Sequence, residues 1–151
     1  MELKAPNFFI LATSVLIIFM GDVLGADSSA SIINDRKKFM KVSEQKMSII
    51  KKNIELSNYQ QAQENALYIK DWADKMKTFF PIGSEASISN LSAASSDIWD
   101  NYNVFKELIK SYQESANKIL NATKNRDKER LLDAFEATLK SCNSCHDLFR
   151  D

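Results

Sequence analysis

Apolar residues recur at the three-and-four spacing of an amphipathic helix along most of this chain, in four separable runs. The first follows a Ser-rich start (Ser28, Ser29, Ser31), carries Ile33, Met40, Met47, Ile50 and Ile54, and predicts a helix from about Ser31 to Leu56. Ser57-Asn58 offers a break with N-cap chemistry, and Ala62, Ala66, Ile69, Ala73, Met76 and Phe80 continue the pattern to Phe80, where Pro81 and Gly83 stop it. Pro81 to Ser95 is rich in Ser, Ala, Gly and Asn without a strong period, so it is expected to be the longest loop, crossing an end of the molecule. Ser96 or Asp97 caps a third helix whose apolar face is Ile98, Tyr102, Phe105, Ile109, Tyr112, Ala116, Ile119 and Leu120, fading near Asn121 to Asn125. The fourth opens at Arg126-Asp127 and carries Leu131, Leu132, Phe135, Leu139, Cys142, His146 and Phe149 on one side. Four amphipathic helices with mostly short connections predict an all-α fold, an antiparallel up-down-up-down four-helix bundle whose interior is a usual place for a cofactor.

Composition agrees, with only three Gly and two Pro in 151 residues, the size of one domain. Twenty basic residues balance twenty acidic ones, which gives no field suited to nucleic acid. The start of the chain differs from the rest. A weakly basic opening, the apolar stretch Phe8 to Met20 and the small-residue site Leu24-Gly25-Ala26 read as a secretory signal peptide over residues 1–26. The apolar run is shorter than the roughly 20 residues of a bilayer span and is closed by Asp22, so removal is expected to leave an exported domain over 27–151 with no stable membrane span.

The two cysteines of the chain stand in Cys142-Asn143-Ser144-Cys145-His146, followed directly by its one histidine, which is the c-type haem attachment sequence. On a helix, 142, 145 and 146 are i, i+3 and i+4, so both sulfurs and the imidazole leave one face. Two thioethers can then hold the porphyrin edge while His146 reaches the iron. A disulfide between Cys142 and Cys145 in an oxidising compartment is the blander alternative. A zinc site is another, although two Cys and one His leave a tetrahedral shell one ligand short.

The closing stretch Cys142-Asn-Ser-Cys-His-Asp-Leu-Phe-Arg150 resembles the last motif of the cytochrome c prime family, since most c-type cytochromes carry the attachment sequence near the start. The resemblance takes in Asp35-Arg36-Lys37-Lys38-Phe39-Met40, Phe79-Phe80-Pro81 and Ile98-Trp99 followed by Phe105. It implies one haem c near one end of a four-helix bundle, with Cys142 and Cys145 as thioether cysteines and His146 as proximal ligand. It further implies that Arg36 contacts a haem propionate, that Trp99 packs near the haem, and that Arg150 is a basic residue beside the histidine.

The same resemblance places Met40, four residues past Arg36, on the distal side of the haem. Gas-binding members usually have an apolar, non-ligating residue there, whereas low-spin relatives use a first-helix methionine as sixth ligand. With sulfur at this position the expectation is His146/Met40 ligation and single-electron transfer between exported, periplasmic redox partners. No acid–base pair stands beside the motif, so no enzymatic role is expected. A methionine that only fills space is the alternative for Met40, and for Met47 two turns further along nearly the same face. The protein would then bind nitric oxide or carbon monoxide at five-coordinate iron. Lys37, Lys38, Lys51, Lys52 and Lys110 supply charge for a redox partner or simply solvate helix faces. Monomer and homodimer both stay open.

Overall fold

The computed structural model describes residues 23–151, and the expected signal segment lies, apart from its last four residues, outside them. Five helices follow one another among the described residues: α1 (Val23–Glu55), α2 (Tyr59–Lys75) continued by a 3-10 turn over Met76–Phe79, α3 (Asp97–Asp100), α4 (Tyr102–Lys124) and α5 (Lys128–Phe149). The long ones, α1, α2, α4 and α5, form the expected antiparallel four-helix bundle. α1 packs on α2, α2 on α4 and α4 on α5, while the interface between α5 and α1 is the thinnest of the four. No described helix is long and apolar enough to cross a membrane.

Two of the three connections are minimal and are built alike. After α1, Ser57 enters the left-handed region (φ 53°), so Asn58 N–H reaches back to Asn53 O at 2.9 Å and Ser57 N–H to Ile54 O at 3.1 Å. That pair of bonds closes the last helical carbonyls. Asn58 then caps α2, its Oδ1 accepting from Gln61 N at 3.2 Å. Arg126 (φ 53°) and Asp127 repeat the device between α4 and α5, with bonds to Thr123 O and Ala122 O and an N-cap from Asp127 to Arg130 N at 3.0 Å.

Three expectations shift. α1 begins at Val23, eight residues before Ser31, so it runs through the expected cleavage point. The third helix is two, because Asn101 (φ −114°, ψ 37°) leaves the helical region and turns its side-chain amide back onto Asp97 O at 3.2 Å. A short polar side chain that binds nearby backbone competes in this way with helix continuation. Tyr102, just past that break, is therefore exposed rather than on the apolar face, and Leu132 is exposed because it sits about 100° around α5 from buried Leu131. The core is otherwise as the pattern reads, from Ile33, Met47, Ile50 and Ile54 on α1 to Leu131, Phe135 and Phe149 on α5, with Trp72 of α2 fully enclosed at its centre.

Candidate haem site

The attachment motif occupies the last two turns of α5, where Cys142, Cys145 and His146 are all half-buried and leave the helix on one side. Both cysteines are free. Burial pushes both thiols up to about 11, and at Cys142 the neighbouring Cys145 adds to the rise. They are accordingly protonated near neutrality, held as S–H groups in apolar surroundings rather than as reactive thiolates. The imidazole of His146 is held below its usual value, first by burial and then by the charge of Arg150, with Asp147 opposing. A neutral imidazole is the form that ligates iron. Among the described residues no three His, Cys, Asp or Glu side chains stand close enough to hold an ion between them.

Opposite this face, Ser43 of α1 and Tyr112 of α4 are buried at the level of Cys142. Burial raises the Tyr112 hydroxyl first, the nearby Cys142 adds to the rise, and the Ser43 hydroxyl opposes it. Ser43 itself donates to Phe39 O at 2.8 Å, so its oxygen is free to accept. One turn before it, Met40 is half-buried and packs on the core. Phe39 beside it stacks on Trp72 (centroids 4.8 Å, planes 9° apart) and meets Phe79 edge-on at 5.1 Å. That aromatic group fixes the rotation of α1 and hence the side on which Met40 emerges.

Arg36 is 4 % exposed, so it is not a solvated helix charge. Its two terminal nitrogens donate to Phe79 O (2.9 Å), Ser84 Oγ (2.9 Å), Ser84 O (2.7 Å) and Ser92 Oγ (2.7 Å), and the guanidinium lies over the Phe80 ring at 4.5 Å. Those bonds use four of the five guanidinium N–H groups, leaving Nε–H for any further acceptor. Phe80 continues edge-on into Phe105 at 4.9 Å and Phe105 into Phe149 at 5.7 Å, a packed path from Arg36 to the end of α5. Trp99 of α3 packs against the core, and its indole N–H is buried without a partner. Arg150 is exposed; its backbone forms an antiparallel bridge with Ala94 while its charge acts on His146.

The structure thus brings Cys142, Cys145 and His146 together and puts Arg36 and Met40 on the facing helix and Trp99 beside α5. It adds residues that the pattern did not single out. Ser84 and Ser92 carry no periodic signal, and Ser43 and Tyr112 meet only because α1, α4 and α5 converge. The residues fit a covalently held haem: two free thiols and a neutral imidazole on one helix face, the thinnest interface of the bundle in front of them, and an unpartnered buried donor at Trp99.

The family described as cytochrome C' matches over residues 31–150. The chain is similar in structure to the cytochrome c prime of Thermochromatium tepidum, with a TM-score of 0.74 and 20 % identity over 81 % of this chain and 95 % of that one. It is similar to that of Rubrivivax gelatinosus (0.74, 18 %, 82 % and 97 %). It is also similar to a ferrous variant of that of Alcaligenes xylosoxidans with bound NO (0.73, 19 %, 82 % and 95 %). No curated protein matches the chain.

Proposed function

The chain belongs to the cytochrome c prime family, a family of c-type haem proteins, and on that premise we propose that it reversibly binds nitric oxide or carbon monoxide at ferrous haem iron. A haem held by Cys142, Cys145 and His146 would supply an iron centre able to take up a small neutral molecule. The observation that carries the reading is a fold shared with a cytochrome c prime that holds NO. On this reading Cys142 and Cys145 anchor the group, His146 is the one imidazole ligand, and Met40 screens the opposite side from water without bonding. Trp99 Nε1, one of two buried indole donors without a partner (Trp72 Nε1 in the core is the other), and Arg36 Nε are the donors assigned to propionate oxygens. Binding is the whole activity; no substrate is transformed.

A second reading has its own support. Met40 is a thioether on the inner side of α1, one turn past Arg36, and as a sixth ligand it would make the protein a one-electron carrier. In both readings the protein is exported to the periplasm through residues 1–26. Exposed Ile49 on α1, Leu56 in the turn that follows it and Leu67 on α2 support a homodimer through those helices.

The test is titration of the chemically reduced holo-protein with carbon monoxide, followed optically, for the wild type and Met40→Leu. Gas binding predicts stoichiometric uptake by both, with affinities within about tenfold, since a shape-conserving change alters only packing. Negligible uptake by the wild type that is gained in Met40→Leu would establish the electron-carrier reading instead.

A further inference from the structure

The segment between the 3-10 turn and α4 is braced by hydrogen bonds yet presents large apolar side chains to water. Ile82 is 87 % exposed, Ile88 109 % and Leu91 77 %, and Leu148 in the last turn of α5 is 56 % exposed. The backbone beneath them is fixed at every stage. Pro81 O accepts from Ser84 N at 3.2 Å across a turn with Gly83 at φ 86°. Ala86 N binds Ala94 O at 2.8 Å, Asn90 closes a local turn onto Glu85 O and Ser92 N, and Arg36 holds Ser84 and Ser92. Ser95 N–Phe149 O (3.0 Å) and Asp151 N–Ala93 O (3.1 Å) fasten the segment to α5 one turn beyond His146.

Apolar side chains on a pre-ordered loop lose little conformational freedom when a partner covers them, which is the arrangement of a docking patch rather than of a flexible linker. The charge around them selects the partner. Residues 81–101 contain Glu85, Asp97 and Asp100 and no basic residue, and the adjoining end of α5 adds Asp147 and Asp151 against Arg150. Of the cations in neighbouring elements, Arg36 is buried, whereas Lys77 and Lys106 beside the Tyr102 ring (5.8 and 5.4 Å) and Lys37 and Lys38 of α1 keep their charge outside the loop, so the acidic character belongs to the loop itself. An acidic rim repels a second copy of the same loop and an anionic lipid surface, and attracts a basic one.

We propose that the loop over residues 81–93, with Leu148, is the docking surface for a one-electron donor protein whose own apolar contact patch is rimmed by Lys and Arg. The partner gives up one electron and the iron passes from ferric to ferrous, with no bond or proton exchanged. The inference rests on the proposed function only in supplying the ferrous state that carbon monoxide binds. It puts the partner at the acidic loop end of the molecule, not at the lysines of α1 or α4.

The experiment uses 15N-labelled holo-protein at low ionic strength, with mitochondrial cytochrome c as a basic one-electron carrier probe. The expected result is amide shifts concentrated at residues 82–91 and 147–149. Binding should weaken about tenfold in Ile88→Ser/Leu91→Ser and by a similar factor in Glu85→Lys/Asp100→Lys. These exposed positions leave the haem spectrum unchanged, which controls for folding. Shifts centred elsewhere, or variants that bind as the wild type does, would overturn the proposal. So would Ile88- and Leu91-dependent binding to phosphatidylglycerol vesicles in place of the probe, or self-association abolished by Ile88→Ser/Leu91→Ser. Carbon monoxide titration of the same samples is independent: its failure removes the gas reading while leaving the docking result to stand on its own.

Discussion

Arg36 is a cation buried among neutral acceptors, two carbonyls and two serine hydroxyls, with no carboxylate paired to it among the described residues. Burial lowers its pKa, and the hydrogen bonds compensate for much of the lost hydration. Arg36→Ala would leave those acceptors unsatisfied and is expected to cost about 3 kcal/mol, read by denaturant unfolding, with amide exchange of Ser84 to Ser95 rising well before global opening. Arg36→Lys keeps the charge but not the planar fork, and should fall between the two. Cys142→Ala/Cys145→Ala is expected to leave no haem attached after acid–acetone extraction, whereas either single change leaves one thioether. The sequence showed these two cysteines and His146 because thioether attachment demands a fixed spacing within one pentapeptide. It was silent on the partners of Arg36, which are 43 to 56 positions away, Phe79 at the end of the second run and Ser84 and Ser92 in the segment without period.

At the scale of elements, the ends of the helices were readable where they rest on local chemistry. Asn58, read as cap chemistry, caps α2, and Asp127, where the fourth run opens, caps α5, whereas Ser96 makes no side-chain cap bond to α3. Asp127→Ala should destabilise by about 1 kcal/mol in thermal or urea unfolding. The left-handed residues between helices were not readable, because neither is glycine. Ser57 is exposed with φ 53°, so Ser57→Gly is expected to stabilise by about 0.5 kcal/mol in the same assay. Gly83→Ala should do the reverse by about 1 kcal/mol: an added Cβ meets nothing within 4 Å, so the cost is the φ of 86° alone. The interruption at Asn101 escaped the pattern, because apolar spacing runs on across it while a single side-chain amide decides the backbone.

For the whole molecule, periodicity and connection lengths sufficed to give the bundle and its order. Only the structure shows that the long loop is bound to both α1 and the end of α5, and so joins the helix of Met40 to that of His146. What the iron does depends on one contact between those helices, which helical spacing cannot decide: Met40 stands at the right place on α1 both for a packing residue and for a ligand. The most direct measurement is the spin state of the ferric holo-protein near neutral pH, by electron paramagnetic resonance and near-infrared magnetic circular dichroism. Gas binding predicts a predominantly high-spin signal that is the same in Met40→Leu. A low-spin signal with a sulfur-to-iron charge-transfer band, absent from Met40→Leu, would contradict it.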